Sequence, residues 1–185
     1  MSLKNWEKKN KIYKDYIQYI ENKDDRFDLT YIDLLYIRNF KGGAASIHEK
    51  EIDANNKLKA YSKILKKIED EFNRKGNIKK LNENQMDSLK EKMKALLNAT
   101  KENRTKIDGF KASRASALLH FYFPDLLPIM DKNVLVGIGE YTEKDGKKKV
   151  DYTTENYSKV IDHFHHHLKG NDDKSLREYD KEFFI

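Results

Sequence analysis

The chain has 185 residues, of which 37% are charged and 38% hydrophobic, and it carries a formal net charge of +6. The charged fraction exceeds the roughly 25% of ordinary globular domains, which predicts slender amphipathic helices around a modest core. Aromatic residues make up 11% of the chain and argue against disorder. Because there is no cysteine, disulfides, thiolate nucleophiles, zinc–thiolate sites and iron–sulfur clusters are excluded.

Hydropathy also limits where the protein is expected to act. No uninterrupted apolar run approaches the roughly 18 residues of a membrane span, and residues 1–10 lack the apolar core of a signal peptide. We therefore expect a cytoplasmic protein with no membrane partner. The basic surplus favours polyanions through counterion release, although many basic proteins bind no nucleic acid.

Hydrophobic spacing predicts a mainly α-helical chain, interrupted by only 2 prolines and 8 glycines. In chain order, helices are predicted over residues 6–20, 29–40, about 44–74, 82–97, 153–168 and 173–184, besides the shorter ones of the motif described below. We find no internal repeat and no linker, so one helical domain is expected: a helical first half (1–104), a hairpin-like core motif (105–136), and a basic loop with C-terminal helices (137–185).

Short polar signals mark several of these boundaries. Asn82 with Gln85 resembles a capping pair, and Thr153 or Thr154 can cap the helix that follows. Asp145-Gly146 is a hairpin-type dipeptide, which predicts either a short two-stranded turn or a mobile basic loop near residues 140–152.

Residues 107–136 differ from the rest, since they are the least charged stretch and carry both prolines. Gly109 opens a helix rich in small residues, where positive φ, close backbone approach and phosphate binding by exposed N–H groups are available. Phe123-Pro124 halts that helix, and an apolar strip then delivers Asp131 to the start of a new one.

Residues 109–134 resemble the core motif of the helix-hairpin-helix DNA glycosylases, including the endonuclease III type. That motif runs from a hairpin glycine through a small-residue helix, an aromatic residue and a proline to an apolar–Asp–x–x–Val/Ile pattern. Gly109, Ala115, Phe123, Asp131 and Val134 fall on these positions, and the spacing from the glycine to the aspartate matches without a gap. The resemblance leaves room for the usual helical first half upstream and for helices downstream.

The chain departs from the family pattern at several positions. Lys111 replaces the second glycine of the hairpin, and Ser113 stands where lyase-active members carry their Schiff-base lysine. Some monofunctional members, such as the adenine-specific ones, also lack that lysine. Asn133 stands where many members have histidine, and the four-cysteine cluster is absent. Asp131 is thus the retained catalytic-motif residue.

The resemblance implies a monofunctional glycosylase that hydrolyses the N-glycosidic bond of a flipped base in DNA, with no metal or cofactor. Asp131 would stabilise the positive charge that develops on the sugar and orient the attacking water. Met130 and Pro128 would help to wall the pocket for the extruded base. The implied DNA-binding residues are Gly109, Phe110, Lys111, Ser113, Arg114, Lys132, Lys147, Lys148 and Lys149.

Structural interpretations of the same residues stay open. Asp131 can be the N-cap of the helix near Asn133, and Gly109 can form a helix C-cap or a tight turn. Lys111 is expected to contact phosphate, and it could act as an amine nucleophile only after a register shift of the hairpin. The lysines of residues 144–149 can form a solvated loop.

Other conspicuous residues carry weaker functional signals. His163, His165, His166 and His167 form a dense cluster in which the first and last share a helix face, as metal ligands often do. A solvated, partly titrating face near a helix C-terminus is the expectation there. Tyr13, Tyr16 and Tyr19 are expected in the core and at its boundary, and Gly137-Ile138-Gly139 is too short for a dinucleotide-binding loop.

Two alternatives compete with an active glycosylase. A non-catalytic helix-hairpin-helix relative would bind only DNA or another partner, as the residues at positions 111 and 113 suggest. A helical protein-interaction module unrelated to DNA is suggested by the long charged helix predicted over residues 44–74.

Overall fold

A computed structural model describes residues 3–42, 46–73 and 76–183. Within these ranges the chain is mainly α-helical with one small antiparallel hairpin, as predicted. The helices are α1 (Leu3–Glu21), α2 (Tyr31–Lys41), α3 (Glu51–Phe72), α4 (Glu83–Ala99), α5 (Ala112–Tyr122), α6 (Lys132–Gly137), α7 (Thr154–Leu168) and α8 (Leu176–Glu182), and the strands are β1 (Thr142–Lys144) and β2 (Lys147–Lys149). None of the described helices combines the length and the apolarity needed to cross a membrane.

Two predicted helices are longer than those observed. The start predicted near residue 44 is wrong for residues 46–50, which are not helical, so that α3 begins at Glu51; positions 44 and 45 and the predicted end at Arg74 lie outside the described residues. The backbone of 46–48 instead pairs with the turn before α5, where the His48 amide donates to the Asp108 carbonyl at 3.3 Å.

The last helix starts later than predicted because a capping box fixes its first turn. The Ser175 hydroxyl accepts from the Glu178 amide, and the Glu178 carboxylate accepts from the Ser175 amide. The predicted end at Phe184 lies outside the described residues. The caps predicted at Asn82 and Thr153 are confirmed, since each side chain accepts from the amide three residues later.

The central element is α5, which packs against α1, α2 and α4. Its alanines Ala115 and Ala117 are fully buried and allow the neighbouring helices to come close. At its far end the Phe121 ring meets Tyr16 and Phe40 edge-on, with centroids 4.6 Å and 4.9 Å away. Because α3 buries one face against α4, the charged helix that suggested an interaction module is part of the same core.

A buried carboxylate fixes α2 relative to its neighbours. Asp33 is fully buried and accepts hydrogen bonds from the Tyr16 hydroxyl at 2.9 Å and the Tyr122 hydroxyl at 3.3 Å, while Lys23 pairs with it at 3.0 Å. Burial, reinforced by the Asp33 charge, raises the pKa of both tyrosines, so they stay protonated donors. This network orients α2, whose last turn reaches the site described next.

The hairpin forms as the Asp-Gly dipeptide predicts. Asp145 and Gly146 have φ values of +53° and +68°, which suit a two-residue turn between twisted strands. Thr142 pairs with Lys149 and Lys144 with Lys147, and both strands are exposed throughout. The hairpin is therefore a solvated projection between α6 and α7.

Candidate functional site

A cleft of about 790 Å³ opens where the C-terminal end of α2 faces the N-terminal ends of α5 and α6. Its volume lies within the roughly 300–1,000 Å³ of typical ligand sites. Its lining includes seven cationic side chains, from Lys9, Lys41, Lys101, Lys106, Lys111, Arg114 and Lys132. Among the described residues that line it, Asp131 supplies the one carboxylate. The cleft therefore combines strong positive charge with a single acid.

Gly109 forms a tight turn against a distant segment. Its φ is +85°, and a Cβ at this position would overlap the Ser46 carbonyl oxygen. The Phe110 amide closes the turn by donating to the Ile107 carbonyl at 3.0 Å. Glycine is therefore required here both by the left-handed backbone and by the close approach of another strand of chain. The tight-turn interpretation is confirmed, and phosphate binding at this turn stays a prediction.

Two residues of the predicted interface lie inside the protein. Phe110 is fully buried and meets the Tyr61 ring edge-on at 5.6 Å, so its side chain packs in the core and only its backbone is left for the DNA binding predicted at this position. Arg114 is 8% exposed and donates to the Gly109 carbonyl. Burial, together with the Arg38 charge, lowers the pKa of Arg114. Its guanidinium thus sits at the floor of the cleft rather than on the rim.

Serine side chains join the two halves of the motif. The Ser113 hydroxyl donates to the Met130 carbonyl at 3.0 Å, and the Met130 amide donates to the Ser116 hydroxyl at 3.0 Å. These bonds tie the first turn of α5 to the residue that precedes Asp131. Because of these bonds, residues distant in sequence lie in one wall of the cleft. The Ser113 hydroxyl is used for this structural hydrogen bond.

Asp131 is the N-cap of α6, as the structural interpretation expected. Its Oδ1 accepts from the Val134 amide at 3.1 Å, while its Oδ2 has no hydrogen-bond partner in the described part of the chain. The side chain is half-buried and lines the cleft. Burial, and secondarily the Asp131 charge, raises the pKa of Tyr152, which lines the same cleft. One carboxylate oxygen is thus held in place, and the other is available to a ligand.

The predicted basic residues divide between the rim and the hairpin. Lys111 and Lys132 are exposed at the rim of the cleft. Residues 147–149 are exposed on β2 and do not line the cleft, although Tyr152, shortly after them, does. The Lys148 ammonium instead lies 4.5 Å from the centre of the Tyr141 ring. If the hairpin lysines contact DNA, they would therefore do so outside the cleft.

Sequence reasoning missed the cations that other elements bring to the site. Lys9 comes from α1, Lys41 from the last turn of α2, and Lys101 and Lys106 from the connection after α4. The helix dipole alone explains why a lysine occurs in the last turn of a helix, so Lys41 gives no functional signal in the sequence. No local pattern distinguishes these lysines from the solvated ones, so only the fold reveals that they converge.

A buried ion pair stands behind the cleft, on α8. Asp180 is 1% exposed and pairs with Arg177, whose guanidinium lies 5.1 Å from the centre of the Tyr13 ring. Burial raises the pKa of the Asp180 carboxyl to about 7, although Arg177 and Lys41 lower it. The Asp131 charge adds to the rise.

The histidine cluster on α7 packs against α8. The His163 Nε2 lies 2.9 Å from the Tyr179 hydroxyl, and the His163 and His167 rings are 4.0 Å apart. Burial and the charges of its neighbours lower the pKa of His163. Across the described residues, no three acidic or histidine side chains are arranged to hold a metal ion.

No protein family, curated protein or solved structure matches this chain. The resemblance to the helix-hairpin-helix glycosylases is carried by the motif at residues 109–134 alone.

Proposed function

We propose that the protein binds DNA in the cationic cleft and acts as a monofunctional DNA glycosylase, with Asp131 as its catalytic carboxylate. The observation that carries this proposal is the composition of the cleft, where, among the lining residues that the structure describes, Asp131 is the one acid beside seven cationic side chains. A DNA strand neutralises such a set of cations through its phosphates and releases its own counterions.

The layout of the cleft suits a nucleotide drawn out of the duplex. Exposed Lys101, Lys106, Lys111 and Lys132 stand at the entrance, where they can contact phosphates on either side of that nucleotide. Asp131 is set deeper, and the Tyr152 ring and Ala112 offer apolar wall to a base. Contacts with the DNA backbone would thus bring the sugar towards the negative charge of Asp131.

The capped geometry of Asp131 supports its role in the reaction. When the bond between the sugar C1′ and the base nitrogen breaks, the bonding electrons leave with the base and positive charge develops on the sugar. A fixed carboxylate beside the sugar stabilises that charge. The free Oδ2 can accept the proton of the attacking water as its oxygen bonds to C1′. That proton then passes to the departed base anion, which restores the carboxylate and leaves a free base and an abasic site as products.

A base-release assay tests the proposal. Duplexes carrying a panel of damaged and mismatched bases are incubated with wild-type protein and with Asp131→Asn, and the abasic product is then cleaved chemically. Release from at least one duplex by the wild type, reduced at least about 100-fold in the variant, is expected. No release from any duplex would end the enzymatic part of the proposal.

A second candidate is DNA binding without catalysis. It is favoured by the structural duties of the motif residues, because Asp131 caps α6 and Ser113 is bonded to Met130. In that case duplex binding would weaken steeply with salt, and no base would be released. Duplex binding that ignores salt would contradict both candidates, since both depend on phosphate contacts.

A further inference from the structure

We propose that the inner end of the cleft is a binding site for one phosphate group, held by Lys41 from α2 and Arg114 from α5. This inference rests on the proposed function in one respect: the phosphate is assigned to the nucleotide whose sugar faces Asp131. The site itself is defined by the charged side chains that the fold brings together there.

Lys41 is a half-buried cation without a partner. Its side chain lines the cleft, yet its ammonium makes no hydrogen bond or ion pair with any residue in the ranges 3–42, 46–73 and 76–183. Withdrawing an ammonium from water costs free energy that a protein normally offsets with an acceptor. Burial lowers the pKa of Lys41; the charges of Asp131 and Asp180 oppose this effect, and those of Lys9 and Arg114 add to it.

Further cations lie on α2 itself and on neighbouring elements. Arg38 lies one turn earlier on α2 and is close enough to Arg114 for its charge to lower the pKa of that guanidinium. Lys9 approaches from α1. Placing like charges side by side in a partly desolvated site is unfavourable unless an anion binds among them.

Two nearby carboxylates offset part of this positive charge without pairing with Lys41. Asp180 is buried beside Arg177, and because its pKa is about 7 it is only partly charged at neutral pH. Asp131 directs one oxygen to the Val134 amide. Among the described residues, the charges of Asp131 and Asp180 therefore act on Lys41 together with those of Lys9 and Arg114, and neither acid bonds to the Lys41 ammonium.

The chemistry of the cations favours phosphate over other anions. A guanidinium offers paired donors that match two phosphate oxygens, and an ammonium adds a compact point charge. The Arg114 guanidinium is held in place by its bond to the Gly109 carbonyl. The cleft volume of about 790 Å³ has room for a whole nucleotide attached to that phosphate. The phosphate can belong to a DNA strand or to a free mononucleotide.

Calorimetric titration of small phosphates tests the site without DNA. The probes are inorganic phosphate and thymidine 5′-monophosphate, at low ionic strength, on wild type, Lys41→Gln and Lys41→Arg. Lys67→Gln is the matched control, because it removes the same charge from an exposed position on α3 that does not line the cleft. We expect Lys41→Gln to weaken binding at least 10-fold, Lys41→Arg to restore most of it, and Lys67→Gln to change it less than 3-fold. Equal losses in the two glutamine variants, or no binding to the wild type, would overturn the site.

Chemical labelling provides a readout independent of affinity and folding. Because its pKa is lowered, Lys41 should be reductively methylated near neutral pH faster than the exposed lysines, and phosphate should protect it selectively. Labelling of Lys41 at the rate of exposed lysines, or protection spread over all of them, would contradict the proposal.

Duplex binding by the same variants identifies the source of the phosphate and separates the two proposals. A larger loss of duplex affinity in Lys41→Gln than in Lys67→Gln supports a strand phosphate. Binding of thymidine 5′-monophosphate without any duplex binding keeps the phosphate site and rejects the DNA function. Base release that depends on Asp131 but not on Lys41 keeps the DNA function and rejects the phosphate site.

Discussion

Asp131 accepts a hydrogen bond from the Val134 amide at 3.1 Å, so the carboxylate proposed for catalysis is also the residue that begins α6. The capping of α6 and the proposed catalysis depend on different properties of the Asp131 side chain. The cap needs one oxygen acceptor, whereas the reaction needs a negative charge. Substitutions that remove one property at a time can therefore separate them.

The first prediction compares two variants of Asp131. Asp131→Asn keeps an oxygen that can cap α6, so its free energy of unfolding should stay within about 0.5 kcal/mol of wild type. Asp131→Ala removes the cap and should lose about 1 kcal/mol. Urea unfolding measures both. If the two variants lose the same stability, the cap contributes nothing; if Asp131→Asn keeps wild-type base release, the charge is not catalytic.

The second prediction concerns the turn before α5. Gly109→Ala places a Cβ against the Ser46 carbonyl while the backbone keeps φ at +85°, so a loss of at least about 2 kcal/mol in unfolding free energy is expected. Gly139→Ala is the matched control, because Gly139 has the same φ of +85° but nothing within 4 Å of its Cβ position.

Only backbone strain should act at the control position, with a cost of about 1 kcal/mol. Thermal unfolding of the two alanine variants side by side gives the difference. Equal losses would show that the Ser46 contact relaxes without cost, and that the turn does not depend on its packing against residues 46–48.

The sequence predicted those features whose signals are local. Asn82 with Gln85, Thr153 and Asp145-Gly146 all adopt the caps and the turn that their side chains favour, because each contact spans a few residues. The false helix start before Glu51 has a non-local cause. Residues 46–48 pair with the Gly109 turn, and no spacing within that segment reveals this contact.

The candidate site was predictable on one side only. Gly109, Lys111, Ser113, Asp131 and Lys132 could be found because they lie in one continuous motif, and the structure brings them into one cleft. The opposite side comes from elements far away in sequence, such as Lys41 of α2 and Lys9 of α1. Phe110 lies in the same motif, yet its side chain is buried in the core. Position in a motif does not tell whether a side chain points to solvent or to the core.

The third prediction follows from the buried carboxyl of Asp180. Its pKa in the folded protein is about 7, above the value of roughly 3.9 in an unfolded chain, so the folded state binds more protons between these values. Stability from this group is therefore present below about pH 4 and is lost as the pH rises towards 7. Asp180→Asn removes this dependence.

Urea unfolding of wild type and Asp180→Asn at pH 5 and pH 8 measures the effect. Relative to the variant, the wild type should lose roughly 2–3 kcal/mol between the two pH values. Every other titrating group is common to both proteins and cancels in the comparison. A stability difference that stays constant with pH would show that Arg177 keeps Asp180 charged throughout.

The fourth prediction concerns the exposed rim of the cleft. If Lys111 and Lys132 contact phosphates, each substitution by glutamine should lower the slope of log affinity against log salt for a duplex by about 0.9. Lys67→Gln is the control, since Lys67 is exposed on α3 and does not line the cleft. An unchanged slope in the rim variants would place the DNA elsewhere on the surface.

The hairpin lysines are tested in the same way with a triple glutamine variant at residues 147–149. A contact beyond the cleft predicts a further decrease of the salt slope, by up to about 2.7 for three phosphates. The exposed strand can lose these charges without a loss of stability. A wild-type slope in this variant would identify the hairpin as a solvated loop.

The most direct measurement of the central claim needs no knowledge of the target base. It compares binding of two duplexes, one with a neutral tetrahydrofuran abasic site and one with a protonated pyrrolidine that carries the charge expected on the reacting sugar. If Asp131 stabilises that charge, the wild type should bind the cationic duplex at least about 10-fold more tightly, and Asp131→Asn should bind both equally. A wild-type protein without this preference, or a variant that keeps it, would contradict the assignment of Asp131 as the catalytic carboxylate.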